Sequence, residues 1–182
     1  MLRLLYIIIF KLIGWKIDGS FSPDLKKYIV AVAPHTSNWD FVIGVMARSI
    51  AKIQRAKFLG KSSLFKFPWG WVFRWLGGYP VERSSPHDMV HQVVRIFNRH
   101  EKFILAIAPE GTRKKVAKLK TGFYYIAVQA KVPILLVGFD YQRKKVVIAQ
   151  PFYPTGEVDP DMETLMKFYR AIKGRNPALG IE

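Results

Sequence analysis

Three stretches of this chain are short and apolar from end to end: Tyr28-Ile-Val-Ala-Val-Ala33, Phe103-Ile-Leu-Ala-Ile107 and Pro133-Ile-Leu-Leu-Val-Gly-Phe139. Runs of that length, rich in β-branched residues, read as buried strands. Between them lie segments with helical spacing. Asn38 to about Lys52 has Phe41, Val45 and Ile53 along its apolar side, and Pro86 to Arg99 puts Val90, Val93, Val94 and Phe97 on one face. Gly122 to Ala130 and Pro160 to Lys173 read as further helices, Ala56 to Leu59 and Lys144 to Ala149 as further strands, and Tyr79-Pro-Val81 as an edge strand. Strands alternating with helices predict an α/β fold around a mostly parallel central sheet flanked by helices. The 182 residues contain no fixed-period repeat, low-complexity tract or long linker, so a single domain is expected.

The N-terminus, Met1-Leu-Arg-Leu-Leu-Tyr-Ile-Ile-Ile-Phe10-Lys-Leu-Ile-Gly-Trp15, is apolar nearly all round. As a helix it would be about 22 Å long at ~1.5 Å per residue, short of the ~30 Å hydrocarbon core of a bilayer. No small-x-small cleavage site follows, which argues against a signal peptide. Two readings remain, a helix packed on the core and a half-inserted interfacial helix with Lys11, Trp15 and Lys16 at headgroup level; the second is the expectation. It divides the chain into an N-terminal membrane-interface helix (1–17) and the main domain (18–182). Lys and Arg outnumber Asp and Glu 29 to 13, for a formal charge of +16, which points to anionic partners. No cysteine is present, so disulfides, cysteine-ligated metals and a thiol nucleophile are excluded.

The chemistry concentrates at two strand ends. In Ala33-Pro-His35-Thr-Ser-Asn-Trp-Asp40 a buried strand stops and a helix starts, where α/β sheets place their sites. On one regular helix His35 and Asp40 would sit about 140° apart, so they meet only if His35 is on the loop and Asp40 in the first turn. A carboxylate on one imidazole nitrogen fixes the tautomer while the other nitrogen takes a proton from an attacking hydroxyl. Taken alone, Ser37-x-x-Asp40 is equally a capping-box pattern, with His35 merely a loop residue. The second strand end is Ala108-Pro-Glu110-Gly111-Thr112-Arg113. Gly111 lets the backbone turn so that successive N–H groups form an anion nest, and Arg113 can clamp a phosphate as a planar fork. A plain turn with a solvated arginine competes with that reading.

Together, His35-Thr-Ser-Asn-Trp-Asp40 and, about seventy residues on, Pro109-Glu-Gly-Thr-Arg113 resemble the glycerolipid acyltransferase family, that of the 1-acyl-glycerol-3-phosphate acyltransferases. Gly60-Lys61, Pro68, Gly70, Gly77-Gly78, Val81-Glu-Arg83 and Val132-Pro-Ile134 extend the likeness, with Glu82 where that family more often has Asp. The resemblance implies that His35 is the base and Asp40 its support. It also implies that Lys61, Arg83, Glu110, Gly111, Thr112 and Arg113 bind substrate, and that no metal or other cofactor is used beyond acyl-CoA or acyl-carrier protein as co-substrate. His87 and His91 are four apart on one predicted helix, but no third zinc ligand follows.

Between the blocks, Lys61 to Leu76 holds three of the five tryptophans, Trp69, Trp71 and Trp75, among basic residues. Such a mixture suits a membrane interface or acyl groove; an aromatic core and a single-strand stacking platform are the alternatives. Lys114-Lys115, Lys118, Lys120 and Arg143-Lys-Lys145 would add attraction to an anionic membrane. The expected activity is acyl transfer to a lysophosphatidate-like lysolipid in phospholipid synthesis, at the cytoplasmic face of a membrane, by a peripheral or monotopic protein with no nucleic-acid partner. A hydroxy-acyl amino-acid lipid as acceptor, and a non-catalytic lipid- or nucleic-acid-binding module, are the other possibilities.

Overall fold

The computed structural model describes residues 2–53, 56–82 and 85–181, with the backbone alone at 86 and 87. In chain order the elements are α1 (Leu2–Leu12), β1 (Lys16–Asp18), β2 (Lys27–Val32), α2 (Trp39–Ile50), β3 (Lys57–Lys61), α3 (Gly70–Trp75), β4 (Gly78–Val81), α4 (Pro86–Arg99), β5 (Phe103–Ile107), α5 (Gly122–Ala130), β6 (Ile134–Asp140), β7 (Lys145–Ile148) and α6 (Val158–Arg170), with 3-10 turns at Ser62–Phe65 and Pro177–Leu179. The strands form one sheet in the order β1-β7-β6-β2-β5-β3-β4. The β6–β7 pairing is antiparallel and the others are parallel, as the alternating pattern predicts.

Period-2 alternation divides the core between the two faces of the sheet. Along β2, Ile29 and Ala31 join a cluster with Val93 and Phe97 of α4, Phe123 and Ile126 of α5, and Leu165 and Tyr169 of α6. Tyr28 and Val30 point the other way, toward Phe10 of α1 and Ile43, Met46 and Ala47 of α2. In β6, Ile134 and Leu136 likewise face the first layer and Leu135, Val137 and Phe139 the second. Each fully buried Leu, Ile or Phe contributes roughly 1.5–3 kcal/mol, which is why these runs must be covered on both sides.

Three features depart from the sequence reading. β1 and α3 are absent from it: β1 is three residues with exposed polar ends, and α3 lies within what reads only as an aromatic stretch. Residue 17, where the N-terminal segment was expected to end, is the middle of β1, paired with Val146. Trp15, expected at headgroup level, is buried, its ring edge against Tyr141 at 4.9 Å and tilted on Phe10 at 6.1 Å. The helix before it has two faces. Phe10 enters the core while Leu2, Leu4, Leu5, Ile8 and Leu12 stay exposed. On α2 the buried residues are Asp40, Ile43, Met46, Ala47 and Ser49, while Phe41 and Val45 of the helix, and Ile53 just beyond it, line a groove.

Candidate active site

β2 is a central strand flanked by β5 and β6, and β2 and β5 are parallel, so the loops after them emerge side by side at one sheet edge. The loop after β2 carries His35, and α2 begins at Trp39, which sets Asp40 in its first turn as the spacing argument requires. His35 Nδ1 lies 3.1 Å from Asp40 Oδ2; the imidazole is 24% exposed and the carboxylate 1%. Asp40 Oδ2 also accepts the Ser37 N–H at 2.9 Å, and Asp40 Oδ1 accepts the Tyr141 hydroxyl at 2.7 Å. Capping and dyad are therefore not alternatives: one carboxylate does both. Burial pushes the Asp40 carboxyl up, but the bonds from His35, Tyr141 and Ser37 outweigh it and hold the group below the usual carboxylate range. A carboxylate on Nδ1 places the ring proton there and leaves Nε2 as the basic nitrogen, with no bonded partner among the described residues.

The second loop is tied to the first from beneath. Glu110 is 1% exposed, and its Oε2 accepts the His35 backbone N–H at 2.6 Å. It was expected among the residues that hold the acceptor; instead it does not line the groove and fixes the backbone of the histidine. Burial raises its carboxyl above the usual range, with the Asp40 charge adding to this and the His35 N–H opposing it. Gly111 has φ +64°, a conformation costly for a residue with a Cβ, and its N–H donates to the Ala108 carbonyl at 3.1 Å. The Lys114 N–H donates to Thr112 Oγ1 at 3.2 Å, so two N–H groups of the expected nest are used within the loop itself. Arg113, Lys114 and Lys120 line the groove, and none is paired with a carboxylate among the described residues.

That groove has a volume of about 1660 Å³ and runs from the His35–Asp40 dyad along α2, over Val30, Val137 and Ile148 of the sheet, toward Ile53 and Ala56. Gly111, Thr112 and Arg113 line it as well, while Lys61 stands exposed at the end of β3 outside the lining. Arg83 lies outside the described residues. Among the described residues, no group of three His, Cys, Asp or Glu is arranged to hold a metal ion. Sequence reasoning missed Tyr141 and Asn176. Asn176 Nδ2 donates to the Thr36 carbonyl at 2.9 Å, and its N–H to Thr36 Oγ1 at 3.2 Å. Nothing in the local sequence pairs these residues with a histidine loop more than a hundred positions earlier.

The crystal structure of the 1-acyl-sn-glycerophosphate (LPA) acyltransferase PlsC from Thermotoga maritima shares this fold, with a TM-score of 0.58 at 22% identity over 91% of this chain and 74% of that one. A curated 1-acyl-sn-glycerol-3-phosphate acyltransferase from Streptococcus pneumoniae (strain ATCC BAA-255 / R6) is 27% identical over 137 residues, covering 70% of this chain and 50% of the relative. The chain thus spans about half the length of the curated relative it matches. From residue 17 to residue 140, both strand-end motifs included, it matches the family model described as Acyltransferase, and the chain belongs to that acyltransferase family.

Proposed function

We propose that this protein transfers a fatty acyl group from a thioester, acyl-CoA or acyl-carrier protein, to the hydroxyl of a lysophosphatidate-like acceptor at a membrane surface. The observation that carries the reading is the dyad lining the same apolar groove as Arg113, Lys114 and Lys120, cations with no carboxylate partner among the described residues. The acceptor hydroxyl gives its proton to His35 Nε2 as its oxygen attacks the thioester carbonyl carbon. Asp40 steadies the imidazolium so formed, and the imidazolium returns the proton to the departing thiolate. Arg113, with Lys114 and Lys120, supports a phosphate on the acceptor, while the acyl chain fits the groove along α2, where each buried methylene is worth about 0.8 kcal/mol.

Membrane attachment rests on two exposed surfaces. One is the outer face of α1; the other is Phe67, Trp69, Trp71 and Trp75, with Phe67 97% exposed. Both border the C-terminal end of α2, where Arg3 Nε donates to the Ile50 carbonyl and Arg48 to the Leu76 carbonyl. No described helix is long and apolar enough to cross a membrane; the exposed apolar face of α1, Leu2, Leu4, Leu5, Ile8 and Leu12, is what supports half-insertion. The test offers the purified protein lysophosphatidate and a hydroxy-acyl amino acid side by side, each with both thioester donors, and reads products by mass spectrometry. Phosphatidate is expected; product from the second acceptor alone would overturn the phosphate reading.

A further inference from the structure

Behind the dyad, away from the groove, a second set of contacts converges on Asp40. Tyr141, in the turn between β6 and β7, donates its hydroxyl to Asp40 Oδ1, and its own N–H donates to the Lys173 carbonyl at 2.9 Å. The Arg175 guanidinium lies 5.9 Å from the Tyr141 ring centroid and 5.2 Å from that of Trp39, the residue before Asp40. Asn176 grips Thr36, the residue after His35. Gly174 is so close to this loop that a Cβ there would fall 2.9 Å from Thr36 Oγ1 and 3.1 Å from Pro34 Cγ. Neither Tyr141 nor Arg175 lines the groove, so neither is placed to touch substrate.

We propose that Tyr141, braced by Arg175 and the segment 173–176, is a positioning residue of the dyad, fixing Asp40 from behind so that its other oxygen stays aimed at the imidazole. The inference rests on His35 and Asp40 acting as the base pair proposed above. A carboxylate held at one oxygen only can rotate about its last bond; with Oδ1 committed to Tyr141, rotation breaks a buried hydrogen bond. Burial and the Asp40 carboxylate push the Tyr141 phenol up, with Arg175 opposing, so the hydroxyl keeps its proton and donates across the working pH range. An arginine over the ring face is attracted to it and holds the ring in place.

The contacts have a consequence that plain packing lacks. Tyr141 favours the state in which the carboxylate is charged over the state in which the dyad has taken up a proton, and Arg175 supports it by holding the Tyr141 ring. Removing either support therefore makes uptake of a proton by the dyad easier. Among the described residues, other charged or titratable groups around the dyad include Glu110 beneath His35, with Tyr169 near it, and Arg113, Lys114 and Lys120 along the groove. Neither substitution below touches them.

The test compares Tyr141→Phe and Arg175→Met with the parent in two ways: the acid limb of the kcat/KM profile, and proton uptake by the dyad followed through the imidazole NMR resonances of His35, which needs no substrate. Tyr141→Phe should move both to higher pH by about half to one unit, lowering the rate on the limb by roughly three- to tenfold. Arg175 is exposed, so its variant should fold, and it should move both in the same direction by a smaller amount. Superimposable parent and variant titrations would overturn the proposal, even if Tyr141→Phe lowered the melting temperature. A shifted NMR titration in a protein that transfers no acyl group would uphold the positioning and refute only the reaction.

Discussion

Replacing Asp40 with Asn separates charge from shape. The amide oxygen can still accept the Ser37 N–H and the His35 Nδ1–H, and the amide nitrogen can donate to the Tyr141 oxygen once its hydroxyl rotates, so the three contacts at 2.9, 3.1 and 2.7 Å survive as neutral hydrogen bonds. What is lost is the charge facing the imidazolium. Unit charges about 4 Å apart attract by about 4 kcal/mol at an effective dielectric near 20. With the imidazole 24% exposed, solvent screening brings this to about 3 kcal/mol, on the order of a hundredfold or more in kcat/KM. Stability should change by only about 1 kcal/mol at neutral pH, or ~2–4 °C in melting temperature. The sign of the pH dependence follows from the lowered carboxyl of the folded state. Asp40 adds stability above its ordinary value of 3.8, and that stability is lost as pH falls through the folded value, so the parent should lose melting temperature more steeply below about pH 4 than the variant. Initial rates across pH, with thermal denaturation of the same samples, measure both. Parental turnover by the Asn variant, accompanied by a large fall in melting temperature, would show that Asp40 only caps the helix.

Glu110→Gln keeps a carbonyl for the His35 N–H and removes a buried acid whose ionisation is disfavoured, so stability at pH 7 should hold or rise by about 1 kcal/mol; a tenfold loss of acceptor affinity would instead place Glu110 in substrate binding. Arg113→Lys should weaken acceptor binding more than donor binding, by about 1.5–3 kcal/mol, seen as a roughly ten- to hundredfold rise in acceptor KM; equal effects on both substrates would contradict the phosphate role. Changing Leu4, Leu5 and Ile8 to Ser strips the exposed face of α1 while sparing Phe10, and should reduce binding to anionic vesicles at least tenfold, with a further loss at high salt; undiminished binding would assign attachment elsewhere.

The centre of this fold was legible because its strands are built on unbroken apolar runs, 28–33, 103–107 and 133–139, and the dyad because a Pro and three polar residues break the chain between a strand and a helix. β1 was not legible, since Lys16-Ile-Asp18 buries no continuous apolar run and owes its place to pairing with β7. Trp15 shows the limit of reading an aromatic near a terminus as an anchor: composition is the same whether the ring meets lipid or, as here, Tyr141. Glu110 sits in a motif whose neighbours face the groove, but which way each side chain points depends on the turn at Gly111, which spacing alone does not specify. Tyr141 was invisible because 101 positions separate it from Asp40 and only the sheet order brings them together. Once β2, β5 and β6 are known to be neighbours, the convergence of their C-terminal loops follows.

The central claim is that His35 removes the proton from the acceptor hydroxyl. A single-turnover measurement of acyl transfer to lysophosphatidate by the parent and by His35→Ala, with folding of both checked by circular dichroism, tests it most directly. The account predicts phosphatidate from the parent and a rate lower by about 10²–10⁴-fold from an equally folded variant. Transfer at the parental rate by the variant would contradict it.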